Sequence, residues 1–265
     1  MANFPPLKNY ILYCLDRLID EYRLSWPFLD VGCGIADISR HLALKGWHGK
    51  AIDLSDIAIE EAKRNLAPFK FIELEKKSLF QETGMFKTIL LMDVLEHIKD
   101  DNTAFDKIYS LLSMDGHLVL TIPSNPKEWQ WDDEFYGHYR RYTLEEIKRK
   151  LINARFEPIL FWDFTYPIFW IMRRLYTGLK SPFVKIEKDK LVCSMRSSSV
   201  NAWDIPFCSN LLSYKFILWN FIYKVQFAYF KDKVENGHEM IVLAKKSRSE
   251  TDAKNIYEPT LKSQL

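Results

Sequence analysis

The chain has little of several things whose absence narrows its function. Four cysteines, Cys14, Cys33, Cys193 and Cys208, are scattered over 265 residues with no Cys-x-x-Cys. That pattern fits neither a zinc site nor a disulfide framework, so reduced thiols in a cytoplasm are expected. Net charge is nearly absent, with 37 Lys+Arg against 35 Asp+Glu. No global field argues for nucleic acid, and no nucleic-acid partner is expected. Long apolar runs are missing too: the longest nearly uncharged stretch, Phe216 to Phe230, is 15 residues broken by Lys224, short of the roughly 20 that span a bilayer. The start MANFPPLKNY has no charged region followed by an apolar core, so no secretory signal is read there. Internal repeats and low-complexity tracts are also lacking. A soluble or peripheral globular protein remains.

What the chain does have is alternation. Apolar residues at Leu7, Ile11, Leu15, Leu18, Ile19 and Tyr22 have the spacing of an amphipathic helix, with Pro27 just beyond. Phe28 to Val31 reads as a strand closed by Gly32 and Gly34, and a helix follows to Gly46. The unit recurs with a strand from Lys50 to Leu54, a helix capped by Ser55 and stopped at Pro68, and a third strand from Phe69 to Leu74. Thr88 to Met92 is the continuous apolar type covered on both faces, followed by a helix from Thr103 to Leu112 and a turn at Asp115-Gly116. His117 to Ile122 is a fifth strand; Thr143 with Glu146 forms a capping box for a helix, and Phe156 to Trp162 is a sixth strand. Glu239 to Lys245 is the last. The expected fold is α/β, a Rossmann-like, seven-stranded, mostly parallel sheet with helices on both faces and the last strand antiparallel.

Between the sixth and last strands the pattern breaks. From Phe164 to Phe230 there are 16 aromatics, with nine Lys+Arg against three acids, a local charge of +6. The expected organisation is an α/β core with a capping N-terminal helix over residues 1–163, a helical insertion over 164–236, the last core strand over 237–246 and a polar tail over 247–265.

In FLDVGCGIAD the two glycines end the first strand, where the backbone turns sharply and a ligand must come close. Asp53, nineteen residues past Gly34, ends the second strand and can accept from both hydroxyls of a ribose. An adenosine-type ligand follows. The dinucleotide fingerprint needs a third glycine three positions after Gly34, but position 37 is aspartate, whose charge would face a pyrophosphate. Asp30 adds a carboxylate suited to a ligand carrying a cation.

These stretches, with AIDLS, LLMDVLEHI, GHLVLTIPSNP and GHEMIVLAKK, resemble the class I S-adenosylmethionine-dependent methyltransferases, in the group containing the ubiquinone-biosynthesis O-methyltransferases. The resemblance implies S-adenosylmethionine as cofactor and S-adenosylhomocysteine as product. Gly32 and Gly34 would then line the amino-acid moiety, Asp53 would hold the ribose, Ser78 and Leu79 would lie beside the adenine and Met92 and Asp93 would close the methionine end, with Asp30, Cys33 and Leu54 also expected among the cofactor-binding residues. Ala36 stands where the family often has glycine, and Ser78 where it often has aspartate.

Two histidines are candidate bases, His138 in DEFYGHYRRYT after the fifth strand and His97 in LEHI after the fourth. Either could instead be structural. Asp93, Glu96 and His97 form a cluster of the kind at which related O-methyltransferases can hold a divalent ion, although relatives without metal carry the same residues, and no metal ligand is assigned. Tyr136, Tyr139, Arg140, Tyr166 and Trp170 are expected at the acceptor. Arg140 and Arg141 either clamp an anionic acceptor or pair with Asp132, Asp133 or Glu134. The insertion is read as a lid over an apolar acceptor, an interfacial membrane helix, or a subdomain packed on itself. The expected function is methyl transfer to a small hydrophobic or amphiphilic molecule. A macromolecule methyltransferase, which should show a basic groove, and a non-catalytic cofactor-binding protein are the alternatives. Oligomeric state has no sequence signal.

Overall fold

The computed structural model describes residues 6–180, 189–197 and 216–247. The chain opens with α1 (Pro6–Tyr22) and then alternates: β1 (Phe28–Val31), α2 (Asp37–Leu44), β2 (Gly49–Asp53), α3 (Asp56–Leu66), β3 (Ile72–Lys76), β4 (Phe86–Met92), α4 (Asp101–Leu111), β5 (Leu112–Pro123), α5 (Trp131–Tyr136), α6 (Leu144–Asn153) and β6 (Phe156–Asp163). Three helices, α7 (Ile168–Lys180), α8 (Lys190–Ser197) and α9 (Phe216–Phe230), precede β7 (Glu239–Lys246). The sheet runs β3-β2-β1-β4-β5-β7-β6. Its first five members pair in parallel, while β7 is antiparallel to both neighbours.

Side-chain alternation divides the core into two layers. Phe28, Ala51, Leu90 and Val119 face α1 and α2, where Tyr10, Leu15, Leu18 and Leu42 bury against them. Leu29, Val31, Ile89 and Leu91 face the opposite side, against Phe105 and Ile108 of α4 and Ile147 and Leu151 of α6. Strands covered on both faces read as continuous apolar runs, as ILLM of β4 does.

Two boundaries differ from expectation. Phe69 is in a turn, accepting from Ile72 N at 3.0 Å, so β3 starts at Ile72 instead of Phe69. Asp115 adopts φ of 60°, yet the chain from Leu112 is already paired with β4. The Asp115-Gly116 turn is therefore a bulge at the base of β5, between the pairs Phe86–Leu112 and Thr88–His117. Ser55 caps α3 by accepting from Ala58 N, and Thr143 caps α6 by accepting from Glu146 N.

In the insertion, buried Phe169 and Tyr223 stack with Tyr10 of α1, the Tyr10–Tyr223 centroids lying 5.1 Å apart, and buried Trp219 stacks on Phe169. Tyr223 Oη also donates to Pro6 O at 2.7 Å. These aromatics therefore pack the insertion onto the core. The tail beyond Ser247 lies outside the described residues.

Candidate active site

A cleft of about 440 Å³ opens at the carboxyl ends of β1, β2 and β4, the edge where α/β sheets hold ligands. Its first wall is the turn after β1. Gly32 and Gly34 have φ of 64° and 54°, and a Cβ on Gly32 would lie 2.6 Å from Val94 Cγ2. Ala36 takes φ 64° and ψ 36° at the start of α2, so alanine occupies a left-handed conformation that glycine adopts more easily. Asp53 ties this turn to β2: its Oδ2 accepts from Gly34 N at 2.9 Å and its Oδ1 from Ser55 N at 2.8 Å. Burial raises the Asp53 carboxyl above its ordinary value against the pull of these backbone bonds. Asp30 is buried at the end of β1, accepting from Ser39 Oγ at 2.7 Å. Burial raises its carboxyl to about 7, the Ser39 bonds only partly opposing. Lys8 of α1 pairs with Asp37 of α2 at the cleft rim.

Ser78 and Leu79 form the next wall. Ser78 starts a short turn over Leu79–Gln81, its hydroxyl accepting from Phe80 N and its own N–H donating to Gln81 Oε1. Ser78, where the resembled family often has aspartate, thus serves as a cap. Met92 and Asp93 close the end of β4, with Thr121 Oγ1 donating to Asp93 Oδ1 at 2.7 Å.

The far end of the cleft is built by Glu96 and His97, on a turn over Leu95–His97, by Tyr136 and His138 around the end of α5, by Glu239 at the start of β7, and by Leu191, Ser194 and Met195 of α8. His138 Nδ1 lies 2.9 Å from Asp133 Oδ1, so a neutral ring donates there and leaves Nε2 as acceptor. Nε2 is 3.9 Å from Glu96 Oε1, and the His97 ring stands edge-to-face with His138 at 4.8 Å. Asp133 also receives Arg141 Nη2 at 2.8 Å and Arg173 Nη2 at 3.0 Å. Burial works to raise the Asp133 carboxyl, but the His138 bond and the Arg141 charge outweigh it and hold the group at about 2. Burial, then the neighbouring His138, push His97 down to about 3, so His97 is neutral.

All ten residues expected around the cofactor, Asp30, Gly32, Cys33, Gly34, Asp53, Leu54, Ser78, Leu79, Met92 and Asp93, line this one cleft, as do His97, His138 and Tyr136. Four expected acceptor residues do not. Arg140 pairs with Asp101 at 2.8 Å and donates to Lys99 O, and Tyr139 is exposed beneath the Lys190 ammonium. Tyr166 and Trp170 pack on each other, with Phe230 against Tyr166 and the Arg174 guanidinium over Trp170. They pack within the insertion, whose helix α7 is tied to α5 by Arg173 on Asp132 and Asp133. Arg141 is committed to Asp133, so neither arginine is free to clamp an anion. The expected acid cluster also regroups: Glu96, His97 and His138, without Asp93, bring one ligand atom each within 4.8 Å of one another.

A family profile described as a methyltransferase domain matches residues 8–159, more than half of the chain. The chain belongs to the S-adenosylmethionine-dependent methyltransferase family. A ubiquinone biosynthesis O-methyltransferase of Marinobacter nauticus is 29% identical over 137 residues, covering 48% of this chain and 58% of that protein. The chain thus matches little more than half the length of that curated relative. A phosphoethanolamine N-methyltransferase of Plasmodium falciparum is 24% identical, with 71% and 78% covered. Among solved structures, the 1,6-didemethyltoxoflavin-N1-methyltransferase of Burkholderia thailandensis, bound to S-adenosylhomocysteine, superposes with a TM-score of 0.55 at 14% identity, covering 91% of this chain and 78% of that one. At that identity the likeness concerns the fold.

Asp133 and Glu239 were missed by sequence reasoning as site residues of this methyltransferase-family chain. Asp133 had a signal, its place five residues before His138 in the acidic run Asp132-Asp133-Glu134, but that run reads as a partner for arginines. Glu239 had none, because only the antiparallel pairing of β7 with β5, Glu239 opposite Pro123, carries it to the cleft.

Proposed function

We propose that this chain transfers a methyl group from S-adenosylmethionine to a small hydrophobic or amphiphilic molecule, with His138 as the base that removes the acceptor proton. The observation that carries this reading is the His138–Asp133 contact of 2.9 Å, with the second ring nitrogen turned toward Glu96 and the cleft. When bound, the cofactor supplies an electrophilic methyl on a sulfonium. Asp53 keeps about two of its roughly four lone pairs for ribose hydroxyls after its two backbone bonds. Asp30 faces the same space as a potential partner for the amino-acid ammonium. The chain's own part is to hold acceptor and methyl in line and to accept one proton at His138 Nε2, while Asp133 fixes the ring and stabilises its charged form. Apolar side chains on the acceptor side, Ile98, Leu191 and Met195, suit an apolar body. The macromolecule alternative loses support, because this end of the cleft carries Asp93, Glu96 and Glu239 instead of a basic groove.

A divalent ion is the second reading, favoured by the approach of Glu96, His97 and His138. Those residues fit as ligands, and an ion would occupy the His138 nitrogen assigned to the base. A third element is peripheral membrane contact through Ile171, Leu175 and Leu179, which recur every fourth residue on α7 and are exposed. Among the described residues no helix is long and apolar enough to cross a membrane.

The test is S-adenosylhomocysteine formation from S-adenosylmethionine across a panel of apolar alcohols, phenols and amines, with wild type and His138→Ala and with chelator present or absent. Acceptor-dependent product should fall by about 10²- to 10⁴-fold in the variant while S-adenosylhomocysteine affinity holds. Product that survives the substitution removes His138 as the base, and product abolished by chelator favours the ion.

A further inference from the structure

Three carboxylates meet at the acceptor end of the cleft with no cation to match them. Glu96 is fully buried and neither of its oxygens has a hydrogen-bond partner. Glu239 has one buried oxygen without a partner, and Asp93 receives Thr121 alone among side chains. All three line the cleft. Among the described residues no lysine or arginine nitrogen comes within 4.0 Å of any of them. The sole ion-pair contacts are imidazoles at 3.9 Å, His138 to Glu96 and His238 to Glu239. Nearby guanidiniums are committed elsewhere: Arg141 to Asp133 and to the carbonyls of Ser124 and His238, Arg173 to Asp132 and Asp133. Burial drives both glutamates well above the ordinary carboxylate range, with Asp93 adding to the effect on each.

A buried carboxylate without donors is costly, and the cost disappears when a cation with several N–H groups arrives. An anionic acceptor would meet the opposite situation, carboxyl oxygens with no cation within reach in a space of low dielectric, where its own charge would stay unpaired. A neutral hydroxyl offers one donor and no charge. An ammonium offers three donors in a compact head, and α8 places Leu191 and Met195 where an apolar body would follow it.

We infer that Glu96 and Glu239 receive the ammonium of the acceptor, so that the substrate is an apolar-bodied amine methylated on nitrogen. The inference rests on the methyl-transfer reading above and narrows it. The ammonium first gives one proton to His138 Nε2. The freed nitrogen lone pair then forms the N–C bond as the S–C bond breaks, its electron pair staying on the sulfur of the departing thioether. The product leaves with one N–H replaced by N–CH₃ and the positive charge now on nitrogen, and His138 returns its proton to solvent.

The test uses three probes with one ring and three charges, phenethylamine, 2-phenylethanol and phenylacetate, titrated calorimetrically into the full chain saturated with S-adenosylhomocysteine. Phenethylamine should bind at least tenfold more tightly than either of the others, since hydrogen bonds to charged groups are at stake. Glu96→Gln and Glu239→Gln should each shrink that preference, their S-adenosylhomocysteine affinity and melting temperature serving as the check on folding. If either variant fails that check, the wild-type series decides alone. Phenylacetate or 2-phenylethanol binding as tightly as the amine, or no measurable binding of the amine, overturns the inference, as does a preference unchanged in both folded variants. Failure of S-adenosylhomocysteine itself to bind would overturn the methyl-transfer reading instead, and the two failures are told apart in the first titration.

Discussion

Replacing Asp53 by alanine separates the role of its carboxylate in the turn from its role toward the ligand. In the folded chain the group accepts from Gly34 N at 2.9 Å and Ser55 N at 2.8 Å, which uses two lone pairs and leaves about two for a ribose diol. Each charged hydrogen bond contributes about 1.5 to 3 kcal/mol. Loss of both ribose contacts would weaken binding by about 10²- to 10⁴-fold, and water entering the vacated space reduces that, so the expected floor is about tenfold. The same substitution strands two backbone N–H groups, which costs about 1 to 3 kcal/mol of stability for each that water does not reach and should lower the melting temperature by several degrees. Isothermal titration of S-adenosylhomocysteine, run well below the variant's melting temperature, measures the first effect and scanning calorimetry the second. A dissociation constant within twofold of wild type, with the expected loss of stability, would refute the ribose role while leaving the turn role intact.

Three further outcomes follow from the same geometry. Gly32→Ala forces a side chain into φ of 64° and against Val94 Cγ2 at 2.6 Å; the left-handed conformation alone costs about 1 to 2 kcal/mol, so the melting temperature should drop by several degrees, and an unchanged one contradicts the close approach. Asp30, with its carboxyl raised to about 7 from an ordinary 3.8, keeps in the folded chain a proton that the unfolded chain releases, so its contribution to stability is lost as pH rises from about 4 to 7. An ammonium facing it favours the ionised form, so S-adenosylhomocysteine should bind more tightly as pH rises through about 7, and Asp30→Asn should flatten that dependence in titrations at several pH values. Membrane contact through α7 should make the protein pellet with anionic liposomes at low salt, and replacing Leu175, 62% exposed, by glutamate should release it; protein that stays in the supernatant at low salt removes this element.

The glycine-turn side of the cleft was legible because its determinants are local. Gly32, Gly34 and Asp53 sit at strand ends whose apolar runs declare themselves, and strand order brings the ends together. The far end was not, because it is assembled from distant segments. Glu96 and Glu239 are 143 positions apart in the sequence and meet through β7 inserting antiparallel between β5 and β6. Arg140 read as a ligand clamp because the local run YRRY cannot show Asp101, which approaches from the start of α4. Trp170 and Tyr166 failed for a related reason. A helical aromatic stripe announces that a face is buried, not what buries it, and here the partners are α9 and α1 as well as the helix's own arginines.

An adenosyl sulfonium cofactor in the cleft between the glycine turn and Asp53 can be tested by a calorimetric titration of the wild-type chain with S-adenosylhomocysteine, S-adenosylmethionine and NADH in parallel. Both adenosyl ligands should bind one per chain and compete, while NADH should not bind, because the Asp37 carboxylate at the start of α2 repels a pyrophosphate. Binding of NADH with no heat from either adenosyl ligand would contradict that cofactor assignment.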